Sequence, residues 1–545
     1  ASNNVAVGSQ AGDALTTGGN NTAVGFASLT TSDTAANNTA IGYAALNAAT
    51  TGANNVAVGS SAGVAVTTGA QNVFIGSGAG DANTTASSNT ALGYNAMGAN
   101  ITANESVAVG VNAMQYSTGG SNTAVGEAAA RGTSGSASGT NNVALGRNSL
   151  YSYTTASNNV VIGKDAGIAV TSGEDNTLIG SNAGDALTDA DFNTAIGRNS
   201  LTADTKGSRS TAVGWGALQA QNFTSATNVY NTAVGNLAGT AITTGVQNTL
   251  MGGLAGDALT VGSYNAALGT TALGGDTQGS KSTAIGYSAL VNQNFTSATD
   301  TFNTAVGYEA GQAVTTGTEN TLIGGLAGDA LTESDRNVAI GYQALTSDTL
   351  GQYNVAVGYF ALANQNSTSA TNTYNTAMGY SAGGSVTTGI RNTFIGGLAG
   401  DSTTTSDDNT AVGYAALDAN TTGTQNTVVG SLAGDAITTG YGNEAFGYSA
   451  LGANTVGRNA VAIGSFTLAN QNPASASSTY NVAVGYNAGG AVTTGTKNTF
   501  IGGLAGDSVT TGTGNVVVGY DAGGTTTGTD NTLIGHGAGN LITTG

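Results

Sequence analysis

The chain has 545 residues, with 87 glycines, one proline, one histidine, no cysteine and a net charge of −19 against only 11 Lys and Arg residues. So few basic residues exclude nucleic acid and anionic membrane surfaces as expected partners. No apolar run approaches the roughly 18 residues of a membrane span, and the glycines do not fall at every third position, which excludes collagen.

A short motif, Asn-Thr-Ala-(Val/Ile)-Gly, recurs about 31 times, mostly 17 residues apart. We call its last residue the marker glycine and the segment between two markers a coil; the first markers are Gly8, Gly25 and Gly42. A fixed period too short for a helix pair is typical of a solenoid. The sequence therefore predicts an all-β protein, a parallel β-solenoid (β-roll) of about 31 coils. Residues 1–545 are expected to form a single repetitive domain without separate caps or a globular part.

Within one coil, the residue before the marker glycine is apolar in every copy, as in Val7, Val24 and Ile41. This pattern predicts a buried position, and the β-branched residue two places earlier predicts a short strand. A second strand is predicted in the segment Ala-(Leu/Val/Ile)-Thr-Thr-Gly, as at residues 14–18.

Four residues before the marker, asparagine stands in nearly every coil. Stacked coils would turn this column into a hydrogen-bonded ladder that also satisfies turn backbone groups. The predicted ladder includes Asn21, Asn38, Asn55, Asn72, Asn320, Asn337 and Asn354.

Side-chain size alternates around the marker glycine: Ala411 occurs with Tyr414, whereas Phe394 occurs with Gly397. Such exchange is typical of packing against a common neighbour, and a strand that is apolar on both faces is usually buried on both. We therefore expect a second copy of the chain on the outer face. A single-chain solenoid with exposed or mutually stacked tyrosines is the alternative. The candidate interface residues are Tyr308, Leu322, Tyr342, Tyr380, Phe394 and Phe500.

The motif at Asn55-Val56-Ala57-Val58-Gly59, with Asn354-Val355-Ala356-Val357-Gly358, resembles the head repeats of trimeric autotransporter adhesins and the repeat shafts of phage or bacterial surface fibres. The resemblance covers the whole chain. It implies a left-handed β-roll that trimerises, with Val56 and Val58 facing the interior and Asn55 in the turn.

Residues with catalytic or ligand chemistry are sparse. His536 stands alone, so transition-metal and nucleophile–base systems have little to be built from, and we expect no enzyme and no cofactor. The aspartates of the recurring Ala-Gly-Asp motif are interpreted as turn residues that are not on adjacent coils, with calcium binding as the alternative. They are Asp13, Asp81, Asp185, Asp257, Asp329, Asp401, Asp435 and Asp507.

Four coils are longer, at 21 residues, and share an insert that begins Gln-Asn. Loops at one phase of a solenoid project from one side, so the inserts are candidate contact loops; a tolerated surface insertion is the alternative. The candidate residues are Asn222, Phe223, Asn294, Phe295, Asn366 and Asn472.

Together these patterns predict a non-catalytic structural segment of an extracellular fibre or adhesin, located at a cell surface or on a virion. The expected partners are copies of the chain itself, as a homotrimer or a head-to-tail filament, with a cell-surface or glycan receptor as a further candidate. Two alternatives stay open. One is an ice-binding solenoid, from Thr-Thr pairs such as Thr67-Thr68; the other is a single-chain filament subunit that stacks end to end.

Overall fold

The computed structural model describes residues 2–524, 528–540 and 542. It confirms the predicted fold class: the protein is an all-β, parallel β-solenoid of about 31 coils, mostly 17 residues apart. The coils fall into two compact units, Ala1–Thr270 and Thr271–Gly545. Both units are built from the same coil, which contains one three-residue strand.

The described strands of the first unit are one per coil, with one extra two-residue pair at an insert. The coil strands are Val5–Val7, Thr22–Val24, Thr39–Ile41, Val56–Val58, Val73–Ile75, Thr90–Leu92, Val107–Val109, Thr123–Val125, Val143–Leu145, Val160–Ile162, Thr177–Ile179, Thr194–Ile196, Thr211–Val213, Thr232–Val234, Thr249–Met251 and Ala266–Leu268. The extra pair is Gly207–Ser208 with Thr227–Asn228.

The described strands of the second unit follow the same plan, with two extra pairs at inserts. The coil strands are Thr283–Ile285, Thr304–Val306, Thr321–Ile323, Val338–Ile340, Val355–Val357, Thr376–Met378, Thr393–Ile395, Thr410–Val412, Thr427–Val429, Glu444–Phe446, Val461–Ile463, Val482–Val484, Thr499–Ile501, Val516–Val518 and Thr532–Ile534. The extra pairs are Gly279–Ser280 with Thr299–Asp300 and Gly351–Gln352 with Thr371–Asn372.

Neighbouring strands within each unit pair in parallel and in strict register. Strand Thr321–Ile323, for example, pairs residue by residue with Val338–Ile340. The register places equivalent residues of successive coils directly above one another, so each position of the coil becomes a column.

The inward and outward faces of the strand are opposite to the sequence prediction. The central residue of each strand points inward, as Ala57 and Phe74 do at 0% exposure. The residue before the marker glycine, predicted to be buried, is 38% exposed at Ile41, and Val56 and Val58 are only half-buried. Because side chains alternate along a strand, an error of one residue exchanges the two faces.

Volume in the interior is shared between the strand centre and the fourth residue after the marker glycine. Coils with Ala at the centre often carry Leu there, as in Ala411 with Leu417, both fully buried. The coil of Phe394 carries Gly400, where an added Cβ would lie 2.5 Å from Phe394 Cδ1. The large side chain therefore fills the space that leucine occupies in other coils.

The predicted second strand is not formed: residues 14–18 are the end of a turn and a bend, and the residues that precede this segment in the coil form a series of turns. Residues two and four places after the marker glycine have left-handed backbones, as at Ala44 (φ 53°) and Leu46 (φ 49°). The amide of Ala44 donates to Phe26 of the preceding coil (2.9 Å), whereas the amide of Leu46 donates to Ala62 of the following coil (3.0 Å). The turns are thus hydrogen-bonded in both directions, which a strand period could not reveal.

The asparagine column lies buried beside the strand. Asn21, Asn38, Asn55, Asn72, Asn320, Asn337 and Asn354 are each at most 1% exposed. Asn38 Nδ2 donates to the Gly52 carbonyl (2.9 Å), and its Oδ1 accepts the amide N–H of Asn55 (2.9 Å). Each asparagine therefore joins its own coil to the next and leaves neither end of its amide unsatisfied.

Candidate functional site

The most extended feature of the surface is the outer strand face. We define this face as the residues directly before and directly after each marker glycine. Ile323 and Ile395 are each 37% exposed before the marker, and Tyr308, Tyr342 and Tyr380 are 55%, 45% and 58% exposed after it. Apolar side chains thus recur on the surface with the period of the coil.

Aromatic rings on this face stack along the column. Tyr342 and Tyr359 have ring centroids 5.5 Å apart, and Tyr359 and Tyr380 have centroids 5.6 Å apart with an interplanar angle of 7°. Tyr287 and Tyr308 form a similar pair at 5.5 Å. Offset stacking of this kind stabilises the column but leaves roughly half of each ring in water.

The structure divides the predicted interface residues into two groups. Tyr308, Tyr342 and Tyr380 lie on the outer strand face as predicted. Leu322, Phe394 and Phe500 are 0% exposed inside their own coils, so their assignment to an interface is wrong. The tyrosines and the buried centres lie on opposite sides of the strand, and their alternation is not a direct exchange of volume.

The inserts are anchored by a buried polar network that the sequence analysis missed. Asp204 is fully buried, and its Oδ1 accepts the amide N–H groups of Gly207 and Phe223, both at 3.0 Å. Gln221 Nε2 donates to Asp204 Oδ2 (2.6 Å), and Asn231 Nδ2 donates to Gln221 Oε1 (2.9 Å). The Asp204 carboxylate therefore connects the first residues of the insert to the preceding coil.

The same network recurs in the second unit. Asp276 with Gln293, and Asp348 with Gln365, repeat the 2.6 Å contact between Nε2 and Oδ2. The three aspartates are 72 residues apart, and each lies 17 residues before its glutamine. This recurrence of Asp and Gln at a spacing of one coil is the feature of the sequence from which the network could have been predicted.

The predicted contact loops are only partly on the surface. Phe223 and Phe295 are 8% and 6% exposed, so these aromatic residues anchor the loops and do not present a contact. Asn222, Asn294, Asn366 and Asn472 are exposed, and each accepts a hydrogen bond from a threonine of the preceding coil.

A second surface feature is the acidic groove. We define it as the surface formed, in neighbouring coils, by the residues from the second to the sixth place after each marker glycine. It includes a pocket of about 280 Å³ beside Asp401 and a pocket of about 160 Å³ beside Asp81. Half-burial raises the pKa of the groove carboxyls of Asp81, Asp185, Asp257, Asp329, Asp435 and Asp507.

The prediction that these charges avoid adjacent coils is wrong in one place. Asp418, in an Ala-Leu-Asp sequence, occupies the same position between Asp401 and Asp435, and the three are 17 residues apart. Burial, and then repulsion from Asp401 and Asp435, raises the pKa of Asp418. The Ala-Gly-Asp motif does not reveal this column of charges, because Asp418 follows leucine and not glycine.

We expect Asp418→Asn to stabilise the protein at neutral pH. The raised pKa means that the folded state holds this proton more tightly, so the ionised carboxyl destabilises the fold above that pKa. The gain should shrink as the pH falls toward the ordinary value of 3.8. Thermal unfolding between pH 4 and 7 measures it, and screening by solvent limits its size.

Asp408→Asn is the matched control of opposite sign. A hydrogen bond from Arg391 lowers the pKa of Asp408, so the ionised carboxylate stabilises the fold. This stabilisation is lost as the pH falls and the carboxylate becomes protonated. This variant should therefore lower the unfolding temperature at neutral pH. Equal pH profiles for the two variants would contradict the assignment.

The threonine pairs do not form a free hydroxyl array. In most of the described pairs the first threonine donates its hydroxyl to a carbonyl of the next coil, as Thr67 Oγ1 does to Thr84 (3.1 Å) and Thr243 Oγ1 does to Thr260 (3.2 Å). The second threonine, such as Thr68, is exposed and does not make this bond.

Grouped catalytic or metal ligands were not found in the described ranges. There, no three His, Cys, Asp or Glu side chains are placed to hold a metal ion. His536 is exposed and stacks on Tyr520, with ring centroids 5.5 Å apart. Within residues 2–524, 528–540 and 542, no helix is long and apolar enough to cross a membrane.

The chain matches no protein-family model, and the comparison with curated proteins finds no relative.

Proposed function

We propose that the chain is a non-catalytic structural segment of an extracellular fibre or adhesin, at a cell surface or on a virion, that self-associates through the outer strand face. The observation that carries the proposal is the apolar residue directly before the marker glycine, which is exposed or half-buried in every described coil and is joined in many coils by an exposed aromatic residue directly after the marker. An apolar stripe of this kind is typical of an interaction surface.

A second copy of the chain is the occupant that matches the stripe best. The exposed residues repeat with the coil, so a partner must present apolar groups with the same period along its length. Copies of one chain meet this condition, and in an assembly with closed symmetry the apolar stripe of every copy is covered by another copy. A homotrimer, which the resemblance implies, is the expected assembly.

The polar chemistry of the chain supports a structural role. The buried asparagines bond to turn carbonyls and to the next coil, and the carboxylates of Asp204, Asp276 and Asp348 accept backbone N–H groups of the inserts. These groups hold the coils together. The hydroxyls that ice binding would use are largely bonded to carbonyls, which favours a fibre over an ice-binding surface.

We expect Ile323→Asp with Ile395→Asp to dissociate the assembly while the β content stays unchanged. Both side chains lie outside the coil interior. A carboxylate at these positions stays in water in a monomer, but it would lose its hydration at an interface, which is energetically costly. Light scattering on the purified protein should give a multiple of 52.6 kDa for the native chain and 52.6 kDa for the variant.

The control is Thr316→Asp with Thr388→Asp, which places two charges at the same 72-residue spacing on a different, exposed part of the coil. This variant should keep the native mass. A native mass of one chain at micromolar concentration would contradict self-association. An assembly that both variants retain would favour head-to-tail stacking.

A further inference from the structure

The larger pocket of the acidic groove is built from three successive coils of the second unit. Its volume is about 280 Å³, and its lining includes Phe360, Asn364, Ser381, Gly384 and Asp401. The aromatic ring comes from one flanking coil and the carboxylate from the other, with Gly384 on the coil between them. The volume is at the lower end of ligand pockets, which span about 300–1,000 Å³, so only a small ligand group fits.

The pocket is open because glycine occupies position 384. A Cβ at Gly384 would lie 2.6 Å from Ser381 Oγ and 2.8 Å from Asp401 Oδ1. In the coil 72 residues earlier, Gln312 stands at the corresponding position. Gly98 stands at the corresponding position in the smaller pocket, so the hollow depends on glycine at this position and is not present in every coil.

Hydrogen bonds within the protein hold the walls of the pocket in place. Ser381 Oγ donates to Asp401 Oδ1 (2.5 Å). Asn364 donates to the Gly384 carbonyl from both its amide N–H (3.2 Å) and Nδ2 (2.9 Å). The side-chain donors of Ser381 and Asn364 are thus engaged, and the acceptors Asp401 Oδ2 and Asn364 Oδ1 remain for a ligand.

The charge around the pocket is negative. Asp401 and Asp418 are on adjacent coils and repel each other, and the chain as a whole carries a net charge of −19. A carboxylate, an amide oxygen and an aromatic ring together match a cation that donates hydrogen bonds. A neutral hydroxyl ligand would gain less, because it carries no charge to pair with Asp401.

We propose that this pocket binds a primary ammonium group, with the nitrogen at Asp401 and the attached carbon chain or ring against Phe360. Two sources carry this chemistry: the amino group of an amino sugar and the side chain of lysine in a partner protein. The proposal is independent of self-association, since the pocket lies within one chain and outside the outer strand face.

A partial copy of the pocket lies 106 residues further on, at Phe466, Asn470, Asn487, Gly490 and Asp507. Asn470 Nδ2 again donates to the glycine carbonyl, at 2.8 Å. Asn487 replaces Ser381, and its Oδ1 lies against Gly490 and fills the hollow. We therefore expect Ser381→Asn to close the first pocket in the same way.

The test is calorimetric titration of the whole protein with glucosamine and n-butylammonium, each against a neutral counterpart, N-acetylglucosamine and n-butanol. The ammonium probes should bind and the neutral ones should not, and added salt should weaken binding. Asp401→Asn should weaken the ammonium probes by about tenfold or more, in keeping with the loss of a charge-assisted contact. Tighter binding of glucosamine than of n-butylammonium would indicate an amino sugar as the natural ligand, and the reverse order would indicate a lysine side chain.

The matched control is Asp329→Asn, which changes the same Leu-Ala-Gly-Asp motif at a coil where Gln312 and Thr346 flank the carboxylate. Circular dichroism should show the same β content for both variants, and Asp329→Asn should bind like the native chain. Equal binding of charged and neutral probes, no binding of either ammonium probe at tens of millimolar, or an unchanged affinity in Asp401→Asn would each overturn the proposal.

Discussion

Phe394→Ala is expected to lower the free energy of unfolding by about 3–5 kcal/mol. The ring is fully buried between Gly383 and Gly400, and neither glycine carries a side chain that could fill the space. Ile395→Ala, one residue further and 37% exposed, should cost much less. Urea denaturation followed by circular dichroism compares the two, and equal losses would contradict the assigned faces of the strand.

Gly400→Leu provides a rescue of this variant. In the native chain a side chain at position 400 collides with the Phe394 ring, so the single substitution should destabilise the coil. In the Phe394→Ala background it recreates the pair seen in Ala411 and Leu417, where leucine adopts the same left-handed backbone. Part of the stability should return. A further loss in the double variant would contradict the exchange of volume between these two positions.

Gly324→Ala is expected to cost more than about 3 kcal/mol, since it combines backbone strain with a clash. The φ of Gly324 is +131°, and a Cβ there would lie 2.5 Å from the Gly341 carbonyl oxygen of the next coil. The clash falls on the backbone, so no rotamer change can relieve it. The unfolding midpoint in urea measures the effect.

Gly325→Ala is the adjacent control. Its nearest neighbour would be Tyr342 Cδ2 at 3.5 Å, an ordinary contact, and its backbone is not left-handed. We expect a change within about 0.5 kcal/mol. If Gly324→Ala proved as mild as Gly325→Ala, the column of marker glycines would not be the close contact described.

The coil period and the asparagine column could be predicted because each is a fixed position in a repeat. The faces of the strand could not. Ala57 and Val58 are both apolar, and nothing in their polarity shows that the smaller one is inside. The informative signal was volume: Phe394 at the strand centre coincides with Gly400, six residues later, whereas Ala411 coincides with Leu417.

The turns and the polar sites were harder to predict from the sequence. Leu46 and similar residues adopt a left-handed backbone although they are neither glycine nor asparagine, the residue types that usually indicate that conformation. Asp204 and Gln221 are 17 residues apart and meet only because the coils stack. The groove pocket depends on Phe360, Gly384 and Asp401 from three different coils, so no local motif contains it.

The most direct test of self-association through the outer strand face uses the absence of cysteine in the native chain. A single cysteine in place of Ile395 carries a spin label, and pulsed electron paramagnetic resonance measures distances between labels on different copies. A second protein carries the label at Thr388. We predict a short intermolecular distance for the label at position 395 and a longer one, or none, at position 388. No dipolar coupling at position 395, in protein that is folded and at micromolar concentration, would contradict the account.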